Sequence, residues 1–215
     1  LTFVFTDIEG STRLWETQPQ AMAEALARHN TLLSNAIAAN HGYVFKTVGD
    51  AFHAAFVDVL DALHAAVEIQ RALSAEAWPT TEPLMVRVAL HTGMAQPSDN
   101  DYAGPTLNRV ARLRDIGHGG QVLLSQATAS LVSDNLPPDI ALHDLGLVQL
   151  RDLSRPEPVS QAVIAGLPAA FPPLRASGVR VGRLPAMPTP LIGRERELAD
   201  LCDLLRRPMV RLVTL

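Results

Sequence analysis

The sequence predicts an α+β domain in which flanking helices pack on one face of a split βαβ sheet. Short apolar runs rich in β-branched and aromatic residues alternate with amphipathic helical segments. Their order is β-α-β-β-α-β, followed by an added helix, strand, helix and final pair of strands. This is the order of the ferredoxin-like split βαβ unit. A proline-rich segment then separates the domain from a short C-terminal helical piece.

The totals exclude several classes of protein. The chain has 215 residues and a formal net charge of −4 without a basic stripe, so we predict no direct nucleic-acid binding by this segment. No apolar run approaches the roughly 18 residues of a membrane helix, which predicts no membrane partner. The single cysteine, Cys202, excludes an intramolecular disulfide and fits a reducing compartment, so we predict a cytoplasmic location.

The first elements are a buried strand and a long helix. Residues 1–5 form a short β-branched and aromatic run, which predicts a strand. Gly10 ends this part of the chain, and Ser11 or Thr12 can cap a helix. Apolar side chains then repeat at helical spacing over 18–39, which predicts an amphipathic helix.

A hairpin forms the centre of the predicted sheet. Two apolar runs, 43–45 and 51–56, flank a Gly-Asp turn, and this pattern is typical of a hairpin. Lys46 and Asp50 place opposite charges beside the turn. Taken alone, these charges fit a solvated turn as well as a functional tip. A second amphipathic helix is predicted over 58–75.

The remaining elements complete the sheet. Residues 84–90 predict a strand that His-Thr-Gly closes, and 96–100 predict a polar turn. Pro105 suits the first turn of a helix in which Asn108 and Arg112, at i and i+4, share one face. We predict a further strand over 121–124, a helix over 126–132, and a final pair of strands over 140–150 and 158–164.

Composition divides the chain into three parts. The domain occupies 1–166. Residues 167–190 carry six prolines and no apolar periodicity, which predicts an extended linker. Residues 191–215 open a helix and lead into an apolar, strand-like run, the edge of a truncated second domain.

Two aspartates lie at the tips of predicted strands. Asp7 can serve as a carboxylate near a helix N-terminus or as a metal ligand, and its own stretch does not decide between them. In a split βαβ sheet the first strand neighbours the hairpin, so Asp7 and Asp50 can converge into a Mg²⁺ or Mn²⁺ site. Lys46 cannot bind such a metal, so it must recognise something else, such as a base edge or a phosphate.

Four motifs, in order and at matching spacing, resemble the class III adenylate/guanylate cyclase catalytic domain. They are FVFTDIEGST at 3–12, FKTVGD at 45–50, HTG at 91–93 and DYAGPTLNRVAR at 101–112. The resemblance covers about residues 1–165, and it is to the bacterial branch whose members open on an FTDIEGST-type strand. It implies the class III nucleotidyl cyclase form of the split βαβ fold.

The resemblance also implies roles for the charged residues at the strand tips. Asp7 and Asp50 match the two metal-binding aspartates, and the carbonyl of Ile8 is a further ligand for two Mg²⁺ or Mn²⁺ ions. Lys46 and Asp101 match the pair that reads the purine. A Lys/Asp pair is the adenine-selecting combination, whereas cyclases specific for GTP carry Glu and Cys types.

The other matched residues handle the ribose and the phosphates. Asn108 matches the residue that orients the ribose, and Arg112 matches the arginine that stabilises the transition state. Arg151 stands where the family commonly has a phosphate-binding lysine, keeping the charge but not the shape. The family works as a head-to-tail homodimer, in which the metal aspartates of one subunit face the Lys, Asp, Asn and Arg set of the other.

The implied activity is that of an adenylate cyclase, which converts ATP to 3′,5′-cyclic AMP and pyrophosphate by two-metal catalysis. The alternative is a catalytically weak cyclase-homology module that senses nucleotides or dimerises. Arg151 and Ala51, which follows Gly-Asp where the family has Gly or Ser, favour the alternative because alanine strains a turn that needs a positive φ. A diguanylate cyclase is disfavoured, since no Gly-Gly-Asp/Glu-Glu-Phe turn occurs.

The C-terminal piece carries a resemblance of its own. The stretch 188–198, followed by the apolar run 210–215, resembles the entry to a STAND/AAA-type ATPase domain. Such an arrangement implies a cyclase domain within a larger signalling or transcriptional regulator.

Overall fold

The domain is built around a seven-stranded sheet. The computed structural model describes residues 1–98, 101–153, 155–176 and 203 of the chain. The strands are β1 (Thr2–Ile8), β2 (Tyr43–Val48), β3 (Ala51–Phe56), β4 (Val86–Thr92), β5 (Gln96–Ser98), β6 (Asp101–Ala103), β7 (Val122–Ser125), β8 (Ile140–Val148) and β9 (Glu157–Ile164). The main sheet has the order β2-β3-β1-β4-β7-β9-β8, and β5 and β6 form a separate two-stranded ladder. The polar turn predicted over 96–100 is wrong for 96–98, which form β5 and pair with β6.

Five α-helices connect these strands. They are α1 (Ser11–Thr17), α2 (Pro19–Ala39), α3 (Val59–Ala75), α4 (Pro105–Asp115) and α5 (Gln126–Val132). Asp58 and Ser125 cap the N-termini of α3 and α5, where each side chain accepts a backbone N–H. Gly10, in a left-handed conformation, stands at the N-terminus of α1 instead of Ser11 or Thr12. Within the described residues, no helix combines the length and apolarity that crossing a membrane requires.

The sheet has a hydrophobic core on each face. Val4 and Phe52 pack in the core that α2, α3 and α5 cover, whereas Phe3 and Phe5 pack in the core that α4 covers. The expectation that the helices cover one face was therefore wrong. The physical reason is that β1 is apolar on both faces, so both need a cover that excludes water.

The central hairpin turns at Gly49, which has φ 62°. Ala51 begins β3, is buried, and is not among the residues with positive φ. The left-handed conformation of the turn is therefore adopted by a glycine, which has no Cβ and takes a positive φ without steric strain, and Ala51 adopts ordinary strand geometry. The strand register shifts between Val44 and Lys46, which makes Phe45 the extra residue of a β-bulge.

The chain beyond β9 packs back on the domain without forming a helix or strand over 165–176. The backbone N–H of Arg175 donates to the Ile116 carbonyl at 2.9 Å, and Leu174 packs against the core under α4. The chain divides into two compact units, Leu1–Gly182 and Arg183–Leu215. The predicted boundary at 166 stays a prediction. The rest of the predicted linker and the ATPase-like remnant lie outside the described residues, apart from Asp203.

Candidate active site

Asp7 lies near the end of β1 and pairs with an arginine that the sequence analysis missed. The antiparallel register places Arg87 of β4 directly opposite Asp7, and its guanidinium donates to the Asp7 carboxylate. The two side chains are only 17% and 18% exposed. Burial raises the pKa of the Asp7 carboxyl and the neighbouring Asp50 raises it further, while Arg87 and Arg114 act in the opposite direction.

Asp50 is brought to the end of β1 by the hairpin turn. Its carboxylate oxygen Oδ2 accepts the backbone N–H of Ile8 at 3.2 Å. This contact joins residues 42 positions apart in sequence and fixes the turn against the strand. The structure thereby brings together Asp7, Ile8 and Asp50, the three residues predicted to hold metal.

Lys46 and Asp101 form a second group. The Lys46 ammonium donates to Asp101 Oδ2 at 2.6 Å, between β2 and β6. The Tyr102 backbone N–H donates to the other carboxylate oxygen at 2.7 Å. These hydrogen bonds hold the pKa of Asp101 below its usual value, and the one from Lys46 has the largest effect. Both side chains of the pair remain partly exposed, so a ligand can reach them.

The third group lies on α4 and the loop between β8 and β9. Arg112 donates to Asp152 Oδ2 at 2.8 Å, and Arg151 approaches the same oxygen at 3.7 Å. Asp152 has φ 61°, a left-handed conformation that is uncommon for a residue with a side chain. Asn108 is exposed one turn before Arg112. Two predicted phosphate-handling arginines therefore share one carboxylate.

These three groups stay separate within one chain. No hydrogen bond or ion pair among the described residues joins the Asp7, Lys46 and Arg112 groups to one another. The catalytic arginine predicted from the sequence therefore does not contact the predicted metal aspartates of its own chain.

The carboxylates of Asp7 and Asp50 fit a hard divalent cation. Both supply oxygen ligands, and the pair already has a cation against it in the form of Arg87. Among the described residues no group of three or more His, Cys, Asp or Glu side chains is arranged to hold a metal ion, so a cation at Asp7 and Asp50 would need further oxygen ligands, such as the backbone carbonyl of Ile8.

Sequence reasoning missed Arg87, Asp152 and His53. Arg87 lies between two valines of β4 and His53 lies between Phe52 and Ala54 of β3, and a charged or polar residue at such a position is a signal in itself. No comparable feature of the sequence marks Asp152, because its pairing with Arg112 depends on the folding of a loop 40 positions further along the chain.

The chain is similar in sequence to known proteins. The sequence profile described as the adenylate and guanylate cyclase catalytic domain matches residues 1–159. An uncharacterised protein from Mycobacterium tuberculosis is 43% identical over 203 residues, which cover 93% of this chain and 68% of that protein. A receptor-type adenylate cyclase from Trypanosoma brucei brucei is 31% identical, over 75% of this chain but only 36% of its own length.

Solved structures show the same fold. A structure of adenylate cyclases from Trypanosoma brucei, described in their monomeric state, superimposes with a TM-score of 0.73 at 29% identity. The match covers 81% of this chain and 92% of that one. The mixed sheet and its flanking helices are therefore those of a cyclase catalytic domain.

Proposed function

The chain belongs to the adenylate and guanylate cyclase catalytic domain family, and we propose that it converts ATP to 3′,5′-cyclic AMP and pyrophosphate. The observation that carries the choice of ATP is the ion pair between Lys46 and Asp101, at 2.6 Å. The proposal extends to a cytoplasmic location, which rests on the single cysteine, and to a place within a larger regulator.

The Lys46 and Asp101 pair suits an adenine base. Adenine presents an N1 acceptor and an N6 donor side by side, so the ammonium can donate to N1 while the carboxylate accepts from N6. Guanine reverses both groups at this edge and would place donor against donor and acceptor against acceptor. The hydrogen bonds that keep Asp101 ionised also keep it an acceptor.

The reaction is an internal displacement at phosphorus. The ribose 3′-oxygen forms a bond to the α-phosphorus, the bond from that phosphorus to the bridging oxygen of the β-phosphate breaks, pyrophosphate leaves, and the hydroxyl proton passes to solvent. Asn108 orients the ribose, which sets the 3′-oxygen in line. Arg112 stabilises the negative charge that develops on the α-phosphoryl oxygens, and Arg151 binds the leaving phosphates.

Asp7, Asp50 and the Ile8 carbonyl would hold two Mg²⁺ or Mn²⁺ ions per site. When bound, these ions supply Lewis acidity and positive charge at the phosphates. Arg87, which lies against Asp7, would compete with a metal ion for this carboxylate.

We further propose that the site is completed by a second copy of the chain in a head-to-tail homodimer. The separation of Arg112 from Asp7 within one chain supports this arrangement, because a single copy does not assemble both halves. The edge strand β2 exposes Tyr43 and Val48, each 55% exposed, beside Lys46. Exposed apolar side chains next to a binding residue are typical of an interface.

One contact favours the alternative function of a weakly active module. Arg112 is held by Asp152 at 2.8 Å, so the arginine must leave this partner before it can act on phosphate. An ATP-binding dimer in which Arg112 never leaves Asp152 would sense nucleotide without turnover.

The test is conversion of ATP and of GTP by the purified chain with Mn²⁺ or Mg²⁺, followed by chromatography of the cyclic products. We expect cyclic AMP as the main product and its loss in Asp50→Ala. Asp134→Ala, at an exposed carboxylate in the 3₁₀ turn after α5, is the matched control and should leave the rate unchanged. Binding of ATP to a proven dimer without any cyclic product would refute the enzyme proposal in favour of the sensor.

A further inference from the structure

His53 lies at the proposed purine pocket, although no sequence motif marks it. It is directly opposite Lys46 on β2 and directly opposite Phe5 on β1. Residues directly opposite each other in antiparallel strands project to the same face of the sheet. The imidazole, the Lys46 side chain and the Phe5 ring therefore share one face, the one that α4 partly covers.

Aromatic contacts fix the orientation of this imidazole. Its ring stacks on the Phe5 ring with centroids 3.7 Å apart and planes 6° from parallel. Phe45, the bulged residue of β2, lies against it with centroids 6.0 Å apart. The imidazole is thus a flat, immobilised group beside Lys46.

A packing role alone does not explain a histidine here. The ring is half-buried, and it has no hydrogen-bond partner within the described part of the chain. A leucine would fill the same space between Phe5 and Phe45, whereas the imidazole keeps ring nitrogens that no protein group occupies and that are not sealed from solvent. A polar group left unpaired where an apolar one would pack better is typical of a functional position.

The surroundings also define the protonation state of the ring. Burial, followed by the charges of Arg114 and Lys46, lowers the pKa of His53 to about 4, against the opposing effect of Asp101. At neutral pH the imidazole is uncharged and offers one N–H donor and one nitrogen acceptor. It can therefore complement a purine ring without adding a second cation beside Lys46.

We propose that His53 is a purine-contacting, specificity-determining residue of the pocket that Lys46 and Asp101 define. The imidazole supplies a hydrogen bond to the purine ring, and its stack on Phe5 forms a flat wall along which the base lies. This inference rests on the proposed function, because it assigns the base to the Lys46 and Asp101 pair.

The experiment compares two substitutions at this position in the full chain. His53→Leu keeps the packing against Phe5 and removes both nitrogens, whereas His53→Gln keeps hydrogen-bonding groups and removes the ring. His143→Leu is the matched control, since His143 is a histidine of β8, at the opposite edge of the same sheet. For each protein we would measure kcat and KM for ATP and for GTP, the thermal midpoint, and calorimetric binding of a non-cyclisable ATP analogue.

We expect His53→Leu to raise KM and the analogue Kd by about three- to tenfold, the value of one hydrogen bond, and to reduce the preference for ATP over GTP. Its thermal midpoint should stay within the range of the control. Unchanged nucleotide binding and an unchanged ATP preference in His53→Leu would overturn the proposal, whatever the thermal midpoint does. If the wild-type chain forms no cyclic product, the proposed function fails, while calorimetric binding still decides the role of His53.

Discussion

Replacing Arg87 by methionine tests whether Asp7 belongs to a cation site. The change keeps most of the volume of the side chain and removes the charge that lies against Asp7. A carboxylate that is 18% exposed then loses its hydrogen-bonded partner. The Asp7 pKa, which burial already raises, should rise further, and the folded state should weaken.

The size of the effect follows from the geometry of the pair. Breaking a fully buried ion pair costs about 3–5 kcal/mol, but here both partners keep some contact with water. The Arg87 Nε is already buried without a hydrogen-bond partner among the described residues, so its removal relieves one unfavourable term. We therefore expect a loss of about 2–3 kcal/mol, or a thermal midpoint lower by roughly 4–12 °C.

Divalent metal should reverse most of this loss. Mn²⁺ supplies the positive charge that Arg87 no longer provides, and a metal concentration of about 100 times Kd stabilises the folded state by about 2.7 kcal/mol. The variant should gain more from Mn²⁺ than the wild type, in which Arg87 competes for the same carboxylate. Arg13→Met is the control, because its pair with Glu82 is well exposed and should matter little.

The assay is thermal unfolding with and without Mn²⁺, followed by circular dichroism. An Arg87→Met protein that gains no more from the metal than the wild type would refute the assignment of Asp7 to a cation site.

Three further predictions concern other parts of the structure. Burial lowers the pKa of His91 to about 4, below its unfolded value, so the unfolded state binds more protons as the pH falls from 6.5 towards 4. Stability should therefore drop by roughly 1–2 kcal/mol between pH 7 and 5 from this residue, and urea unfolding of His91→Gln should show a shallower pH dependence. Asp152→Asn should raise kcat by up to about fivefold, because it frees Arg112 from an exposed ion pair. Asparagine also tolerates the left-handed backbone at this position. Steady-state kinetics that show no gain in kcat would contradict the idea that Asp152 restrains Arg112. A chain ending at 176 should be about 2 kcal/mol more stable to urea than one ending at 166, since only the longer chain keeps the packing of Leu174 and the Arg175–Ile116 hydrogen bond; equal stability would favour the predicted boundary at 166.

The parts of the site that depend on short-range sequence patterns could be predicted from the sequence. The Gly-Asp turn, the strand before Asp7 and the i, i+4 spacing of Asn108 and Arg112 are short-range patterns, and the strand, the hairpin and the helix that they predict are present. The approach of Asp50 to Ile8 followed from the neighbouring positions of the first strand and the hairpin in a split βαβ sheet.

The parts that the sequence did not predict depend on contacts between distant residues. Arg87 meets Asp7 across 80 positions, and its role follows only from the register of β1 and β4. The position of α4 on the second face depends on the apolar surface that Phe3 and Phe5 present together, which periodicity within one helix does not show. The backbone strain expected at Ala51 is absent, because the positive φ of the turn belongs to Gly49.

If two copies of the chain form one ATP-cyclising site, two inactive variants that are defective in different halves should restore activity when they are mixed. Asp50→Ala lacks a metal ligand and Arg112→Ala lacks the transition-state arginine, so each homodimer has two defective sites. A mixed dimer regains one intact site, and equal mixing should therefore restore about one quarter of the wild-type rate of cyclic AMP formation. No activity in a mixture shown to contain mixed dimers would contradict the composite site.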